Sequence, residues 1–472
     1  MLDELKPYPE YKESGQAWVG NVPKQWDILP NRAIFEEVKD RGHPDEEMLS
    51  VTITRGVIRQ KSLLADTSKK DSSNLNKSAY KLVCPNDIAY NKMRAWQGAI
   101  GASEFRGIIS PAYVVMSFRD SNKPRYFHHL FRTPYFAKEA ERWSYGITSD
   151  MWSLRPEHFK MIYTPVPPRD EQSAIVKFLD YATRRLNRAI RAKQKVIALL
   201  NEQKQVIIHR AVIRGFNPNV EFKLSGIPWL GDVPKHWQVR RLKYISPQIT
   251  VGIVIQPARL YVPNGVPCLR SLNISSGKID TNNLVYISPE SHRANSKSQI
   301  FKGDVVVVRT GRAGIAVVVD EAHDGANCVD LLIVRKSPVL TSEYLTTYLQ
   351  SFAARSNVEF NSVGAIQAHY NTATLANLLM PLPKLEEQRA ILDEISKTCE
   401  PIDTAMSSAG RRVSLLREYS TRLIADVVTG KLDVREAASG LPDEETIVPD
   451  IEEKDTVEEE FQEAEAMGEE NE

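Results

Sequence analysis

The sequence lacks any long hydrophobic run, and this absence argues against a membrane-spanning protein. Apolar stretches such as Val305–Val308 and Ile315–Val319 fall far short of the ~18 residues that a membrane-spanning helix needs. The opening residues, MLDELKPYPEYK, contain no apolar core, so we expect no secretory signal there. The sequence therefore predicts a soluble, cytoplasmic protein.

Cysteines and catalytic motifs are also scarce. The chain has four cysteines in 472 residues, widely separated and without a CxxC pair: Cys84, Cys268, Cys328 and Cys399. This spacing excludes a disulfide framework and a thiolate zinc site. We find no GxGxxG segment for a nucleotide cofactor and no HExxH metal motif. The sequence therefore predicts a chain without catalytic residues, metal or cofactor of its own.

One segment resembles a catalytic motif in isolation. Asp320-Glu-Ala-His323 follows the apolar run Ile315–Val319, as the magnesium-binding box of a helicase would. That chemistry also needs a phosphate-binding GxxxxGK[ST] loop, and neither Gly277-Lys278 nor Gly430-Lys431 provides one. We interpret the DEAH segment as an ordinary strand-to-loop sequence.

Positive charge is concentrated in the body and negative charge at the end of the chain. The net charge is +1, yet residues 443–472 contain 15 acidic residues and one lysine, a net of −14. Residues 1–442 therefore hold 60 basic and 45 acidic residues, a net of +15. A basic body favours a polyanionic partner, although a solvated surface would give the same balance. We expect the tail to be disordered and to screen the body from non-specific polyanions.

The chain contains an internal repeat. Gly20-Asn-Val-Pro-Lys-Gln-Trp26 returns as Gly231-Asp-Val-Pro-Lys-His-Trp237, 211 residues later. Further markers recur in the same order at offsets of 215 and 216: Pro165-Val-Pro167 with Pro381-Leu-Pro383, Glu171-Gln172 with Glu387-Gln388, and Gly215 with Gly430. The sequence therefore predicts two copies of one unit of about 215 residues. We expect the matched Trp26 and Trp237 to anchor the two cores.

Each copy should contain a globule followed by a long helix. Short strands are predicted within Met48–Thr54, Pro111–Phe118, Asp304–Arg309, Ile315–Val319 and Leu331–Val334. Residues 170–214 contain no Pro or Gly and predict a helix of about 67 Å. The predicted division is a first globule at 1–168, a first helix at 169–215, a second globule at 216–384, a second helix at 385–432 and the acidic tail at 433–472.

The two helices carry a heptad pattern. Leu179, Leu186, Leu200 and Ile207 fall on one heptad position, interrupted by Lys193, and Ala182, Ala189 and Val196 fall on its partner. A similar 4–3 spacing runs through Ile391, Ile395, Ile402, Ala405, Ala409, Leu416, Tyr419 and Leu423. We predict an α+β fold of two tandem α/β globules joined by two long antiparallel coiled-coil helices, a pseudo-two-fold repeat. Ordinary amphipathic core helices are the alternative. Pro401 should interrupt and kink the second helix.

Four loops carry side chains that are suited to reading nucleic acid. They lie at 90–98 and 143–150 in the first copy, and at 309–314 and 364–371 in the second. Cationic, amide and aromatic groups of this kind reach base edges and phosphates. The candidate DNA-binding residues are Asn91, Lys92, Arg94, Gln97, Tyr145, Arg309, Thr310, Arg312, Gln367 and Tyr370. Some aromatic residues, particularly Tyr90 and Trp96, would alternatively fill the core.

The sequence resembles the specificity subunit of type I restriction-modification enzymes. The resemblance extends from Leu5 to about Val434 and rests on the paired Val-Pro-Lys-x-Trp openings and the paired Pro-x-Pro…Glu-Gln helix starts. Asn91-Lys-Met-Arg-Ala-Trp-Gln-Gly-Ala99, Ser110-Pro-Ala-Tyr113 and the closing Leu423–Leu432 are also similar to that family.

The resemblance implies two target recognition domains, each reading one half of a bipartite double-stranded DNA sequence. It also implies two methyltransferase (modification) subunits as partners, joined by ATPase/endonuclease (restriction) subunits. S-adenosylmethionine, ATP and magnesium would then belong to the partners and none to this chain. Two alternatives remain open: a helicase-like NTPase built on the DEAH segment, and a coiled-coil scaffold without a DNA role.

Overall fold

The computed structural model describes residues 5–64, 77–146, 152–275, 277–309, 314–361 and 370–442. The chain divides into two compact units. Unit 1 draws on 1–192 and 412–472, and unit 2 on 193–411. Two long helices pass from one unit into the other, so each unit contains one globular part and one portion of each helix.

Short strands build the globular part of unit 1. The strands are β1 Tyr11–Glu13, β2 Asn21–Pro23, β3 Asp27–Pro30, β4 Phe35–Val38, β5 Leu49–Thr52, β6 Gly56–Arg59, β7 Lys81–Val83, β8 Ile88–Asn91, β9 Ile100–Ala102, β10 Gly107–Ile109, β11 Tyr113–Phe118 and β12 Tyr163–Val166. The helices are α1 Asn31–Ile34, α2 Gln60–Leu64, α3 Pro124–Phe131, α4 Pro134–Arg142 and α5 Pro156–Met161. The central sheet has the order β4-β11-β8-β9 and every pairing in it is antiparallel.

The first long helix, α6, extends from Arg169 to Arg214. It therefore matches the predicted helix to within one residue at each end. Its beginning shares the core of unit 1, where Leu179 and Ala182 are buried. Its last turns share the core of unit 2 through Ile208 and Val212. Between them Val196, which the heptad pattern placed in the seam, is 45% exposed, so that position does not pack as predicted.

Unit 2 repeats the central four-stranded sheet of unit 1. Its strands are β13 Phe222–Leu224, β14 Asp232–Pro234, β15 Gln238–Arg241, β16 Ile249–Val251, β17 Tyr261–Val262, β18 Val266–Leu269, β19 Ile274–Ser275, β20 Lys278–Ile279, β21 Val285–Ile287, β22 Val305–Val308, β23 Ala316–Val318, β24 Asn327–Cys328, β25 Leu331–Val334 and β26 Leu379–Leu382. The helices are α7 Pro289–Ala294, α8 Ser342–Leu349, α9 Phe352–Asn361 and α10 Thr372–Ala376. The sheet β16-β25-β22-β23 is again antiparallel throughout and has the same order as its counterpart in unit 1.

The second long helix, α11, runs without a break from Leu385 to Val428, with Pro401 inside it. The predicted interruption at Pro401 is therefore wrong. A proline removes one backbone hydrogen bond, to the carbonyl four residues earlier, and the neighbouring bonds can carry the helix through. Pro401 is also exposed, so water can reach this part of the helix.

A short helix, α12 Arg435–Ser439, follows α11 in unit 1. Val434, Ala438 and Leu441 are buried in the core of that unit. The prediction that the disordered tail begins at residue 433 is therefore wrong for 433–442, because these three apolar side chains recur at helical spacing. Residues 443–472 lie outside the described residues. No helix in the described part of the chain is both long and apolar enough to cross a membrane.

The repeated motifs have matching structural roles. Trp26 and Trp237 are both buried, as predicted. The Gln172 side chain accepts a hydrogen bond from Lys123 N and donates one to the carbonyl of Pro167. In unit 2 Gln388 bonds in the same way to Thr341 N and Pro383 O. Each glutamine therefore ties the start of a long helix to the start of α3 or α8.

Candidate nucleic-acid interface

The predicted loop after β8 is a tight, internally bonded turn. The Asn91 Oδ1 accepts a hydrogen bond from Met93 N at 3.0 Å, and Trp96 Nε1 donates to the Met93 carbonyl at 2.9 Å. A 3₁₀ turn covers Ala95–Gln97 and ends at Gly98, whose φ is +96°. Because the loop satisfies its own polar groups, it presents its remaining side chains in a fixed arrangement.

The outward-facing cation of this loop is Arg94, next to the exposed Met93. Arg94 is exposed, whereas Asn91, Lys92 and Gln97 are half-buried. Tyr90, which sequence reasoning left open between binding and packing, is fully buried in the core. Arg94 is therefore the predicted residue of this loop that is best placed to contact a ligand.

The second predicted loop of the first copy meets the first one. Leu154 N donates a hydrogen bond to the Lys92 carbonyl at 2.9 Å, and the Trp96 and Trp152 rings contact each other at 5.5 Å in a T-shaped arrangement. Tyr145 pairs with Ser153 through a β-bridge and is 60% exposed. Residues 147–151 lie outside the described residues. Unit 1 therefore brings Lys92, Arg94 and Tyr145 into one neighbourhood.

Sequence reasoning missed a third segment at this place. The β5–β6 hairpin pairs Thr52 with Gly56 across the three-residue tip Ile53–Arg55. The tip is adjacent to the loop after β8, since a Cβ at Gly98 would lie 3.8 Å from the Ile53 carbonyl oxygen. A Thr-x-Thr-Arg-Gly stretch between two strand-like runs is a hairpin signal, and it could have predicted this tip.

The corresponding loops of unit 2 also converge at their described ends. Arg309 follows β22, and its guanidinium pairs with the Asp330 carboxylate at 2.7 Å. Tyr370 N donates a hydrogen bond to the Arg309 carbonyl at 3.2 Å, and a Cβ at Gly314 would lie 3.1 Å from the Tyr370 ring. Thr310, Arg312 and Gln367 lie outside the described residues.

Tyr370 has a different place from the one its residue type suggested. It is only 3% exposed and belongs to the core of unit 2. We therefore assign it a packing role against Gly314, and it does not enter our proposal for base contact.

The two units place a cation at the same point of the sheet. Tyr113 pairs with Asn91 in unit 1, and Leu331 pairs with Val308 in unit 2. Lys92 and Arg309 therefore both come directly after the corresponding strands, β8 and β22. The surroundings differ, because Asp330 neutralises Arg309. The two surfaces are alike in framework and different in chemistry.

The DEAH segment forms a capped turn. The Asp320 carboxylate accepts a hydrogen bond from His323 N at 3.2 Å and contacts His323 Nδ1 at 2.6 Å. These bonds from His323 hold the pKa of Asp320 below its ordinary value. The acidic group of the segment is thus engaged as the cap of the 3₁₀ turn Glu321–His323. In the described part of the chain, His, Cys, Asp and Glu do not gather in groups of three or more that could hold a metal.

Comparisons with known proteins show what this chain is similar to. Residues 234–404 match the family model described as "Type I restriction modification DNA specificity domain". The MjaVIII specificity subunit of Methanocaldococcus jannaschii is 26% identical over 285 residues, which cover 59% of this chain and 64% of that protein. The putative MjaX specificity subunit of the same organism is 22% identical, over 90% of this chain and 98% of that protein. Residues 234–404 of this chain are therefore similar to the DNA specificity domain of type I restriction-modification enzymes.

A solved structure supports the fold of this chain. A chain from a study of complex assembly and conformational transition of the type I R-M system has a TM-score of 0.61. The match covers 87% of this chain and 99% of the other chain. Because the sequence identity is 16%, this likeness supports the fold alone. An α+β fold with a long helix agrees with this likeness. The match to the MjaVIII subunit spans less than two thirds of the length of that protein.

Proposed function

We propose that this chain is the DNA sequence-recognition and assembly subunit of a type I restriction-modification complex. Unit 1 would read one half of an asymmetric, bipartite target in double-stranded DNA, and unit 2 the other half. The chain itself would be non-catalytic. The alternatives of a helicase-like NTPase and of a scaffold without a DNA role gain no support, since Asp320 caps a turn and the family match points to DNA specificity.

The observation that carries this proposal is the repeated sheet with a cation at one matched point. Both units build the same four-stranded antiparallel order, and Lys92 and Arg309 follow matched strands. Loops at such a point differ in sequence between the units. A repeated framework with different loops fits the reading of two different half-sites.

Binding would combine phosphate and base contacts. In unit 1 we propose Asn91, Lys92, Arg94, Gln97 and Tyr145 as the contact set. In unit 2 we propose Arg309 and the loop residues Thr310, Arg312 and Gln367. Arginine is the side chain best suited to a bidentate contact with guanine, and lysine suits a phosphate.

The long helices would serve as spacer and docking elements. The start of α6 shares a core with the end of α11 in unit 1, and the end of α6 shares a core with the start of α11 in unit 2. In unit 2, Lys204 of α6 also pairs with Asp403 of α11 at 2.6 Å. We propose that the helices pair antiparallel as a coiled coil and that their length sets the half-site spacing.

The catalytic partners would supply the chemistry. Two modification subunits would methylate adenine with S-adenosylmethionine, and restriction subunits would use ATP and magnesium for cleavage. We place the complex in the cytoplasm, where the DNA is.

Salt-dependent binding tests the DNA role directly. We expect the purified full-length chain to bind a duplex with an affinity that falls steeply with salt, because each phosphate contact releases counterions. Fluorescence polarisation over a salt series would measure the slope. Arg94→Ala should weaken binding, whereas Arg119→Ala, an exposed arginine that follows the end of β11 opposite to the loop after β8, should change it little. Salt-independent binding, or equal losses for both variants, would contradict the proposal.

A further inference from the structure

Arg132 occupies an unusual position beside the proposed recognition surface of unit 1. It follows α3 directly as the C-cap residue. Its guanidinium reaches the β5–β6 tip, where the same terminal nitrogen, Nη2, donates hydrogen bonds to the Ile53 carbonyl at 2.8 Å and to the Thr54 carbonyl. The other terminal nitrogen lies within 3.5 Å of the Thr52 carbonyl.

The same guanidinium also reaches the loop after β8. It lies 3.3 Å from the Gly98 carbonyl and 3.3 Å from the Ile100 carbonyl. One side chain therefore bonds two segments that are more than forty residues apart in sequence. The planar, always-charged fork of arginine suits several carbonyls at once, whereas lysine offers a single point charge.

The tip itself is built to approach Arg132 closely. Thr52 Oγ1 accepts a hydrogen bond from Arg55 N at 3.1 Å, which closes the turn. Gly56 has a φ of +76°, and a Cβ there would lie 3.3 Å from an Arg132 nitrogen and 3.2 Å from the His128 ring. A larger residue at Gly56 would therefore be strained and would push the tip away.

The tip presents polar side chains next to the loop that carries Arg94. Thr54 is exposed and Arg55 is half-buried. Both are side-chain types that contact bases or phosphates. With Arg132 holding its backbone, the tip cannot move independently of the loop after β8.

Unit 2 has a different residue at the matching position. The residue that follows α8, where Arg132 follows α3, is Gln350. This difference supplies an internal control.

We propose that the β5–β6 tip, Thr54 with Arg55, is a further DNA-contacting segment of unit 1, and that Arg132 is the positioning residue that fixes the tip relative to the loop after β8. This inference rests on the proposed function. Preorganised contacts avoid the cost of ordering two loops on binding. Loss of Arg132 should therefore loosen the reading of one half-site and leave the other unchanged.

The test uses the full chain in complex with its modification subunits. Binding to two duplex pools is measured, one randomised in the first half-site and one in the second, and the selected sequences give the discrimination at each half. We expect Arg132→Ala to lower discrimination about tenfold in one half only, within the range of a good base contact. Arg132→Lys should behave like the alanine variant, because it keeps the charge and loses the fork. Gln350→Ala should change neither half.

The surface variants Thr54→Ala and Arg55→Ala keep the test decisive if Arg132→Ala fails to fold. Each should reduce binding or discrimination at the same half-site as Arg94→Ala. Unchanged discrimination in all of these variants, equal losses in both halves, or full rescue by Arg132→Lys would overturn the inference. A wild-type complex that selects no gapped sequence would instead refute the proposed function itself.

Discussion

Replacing Tyr344 by phenylalanine removes one oxygen atom from the core of unit 2. The Tyr344 hydroxyl donates a hydrogen bond to the Val212 carbonyl at 3.0 Å. Val212 lies in the last turn of α6, where carbonyls have no partner within the helix. Burial raises the pKa of the Tyr344 phenol well above its ordinary value, so the hydroxyl keeps its proton. Without that hydroxyl a buried carbonyl is left unpaired, which costs about 1–3 kcal/mol.

Unit 1 contains the same arrangement. Tyr126 is fully buried, and its hydroxyl lies 3.0 Å from the carbonyl of Val428, the last residue of α11. It also lies 3.1 Å from the Pro165 carbonyl. Tyr126→Phe should therefore destabilise unit 1 at least as much as Tyr344→Phe destabilises unit 2.

Amide hydrogen exchange measures these effects separately in each unit. A loss of 1–3 kcal/mol should speed exchange about 5- to 150-fold in amides that open with the core. For Tyr344→Phe we expect the change in peptides from α8 and the end of α6. Tyr244→Phe makes the same chemical change at a residue that is 69% exposed, and should have no effect. Acceleration of less than about twofold for Tyr344→Phe, or equal acceleration for the control, would refute the reasoning.

Three further perturbations test charge in the two units. Burial, reinforced by the nearby Arg132 cation, lowers the pKa of His128 well below its ordinary value. As pH falls below about 6.5, His128 therefore binds a proton in the unfolded chain before it does so in the folded chain. The free energy of unfolding of unit 1 should then fall by up to about 1.4 kcal/mol per pH unit. His128→Gln should reduce this pH dependence, as measured by urea unfolding. The Asp304 carboxylate lies 2.5 Å from the Arg335 guanidinium, and Asp304→Ala leaves that cation without its charged partner; this should cost unit 2 about 3–5 kcal/mol, measured by hydrogen exchange. Deleting 443–472 removes a net charge of −14 and should strengthen binding to an unrelated duplex in a polarisation assay.

Each of these predictions has a contradicting result. A pH slope that survives His128→Gln unchanged would mean that its protonation is not linked to unfolding. Faster exchange in both units after Asp304→Ala would mean that the loss is not local to unit 2. Unchanged binding to the unrelated duplex would remove the screening role of the tail.

The repeat and the long first helix could be predicted because their signals are local or recur in order. Heptad spacing and the absence of Pro and Gly over 170–214 depend on neighbouring residues only. The paired Trp26 and Trp237 motifs needed only comparison of the chain with itself. The first turns of α6 follow the heptad pattern, whereas Val196 departs from it. Whether a heptad position is buried depends on the residues that pack against it, and the sequence of one helix does not specify those residues.

The positions of the candidate side chains could be predicted only in part. Arg94 and Tyr145 are exposed, but Tyr370 is buried because the chain returns against Gly314. The role of Arg132 has no local signal, since its partner Thr54 is 78 residues away. Contacts between residues so far apart in the sequence depend on the folded structure, so the amino-acid composition cannot predict them.

The central claim is that one chain reads two different half-sites, one with each unit. It is tested most directly by mapping adenine methylation in a methylation-free host that co-expresses this chain with its modification subunit. We expect methylation at one asymmetric, gapped motif. Arg94→Ala should relax the sequence requirement in one half of the motif, and Arg309→Ala should relax it in the other. An ungapped motif, or relaxation of both halves by Arg94→Ala alone, would contradict it.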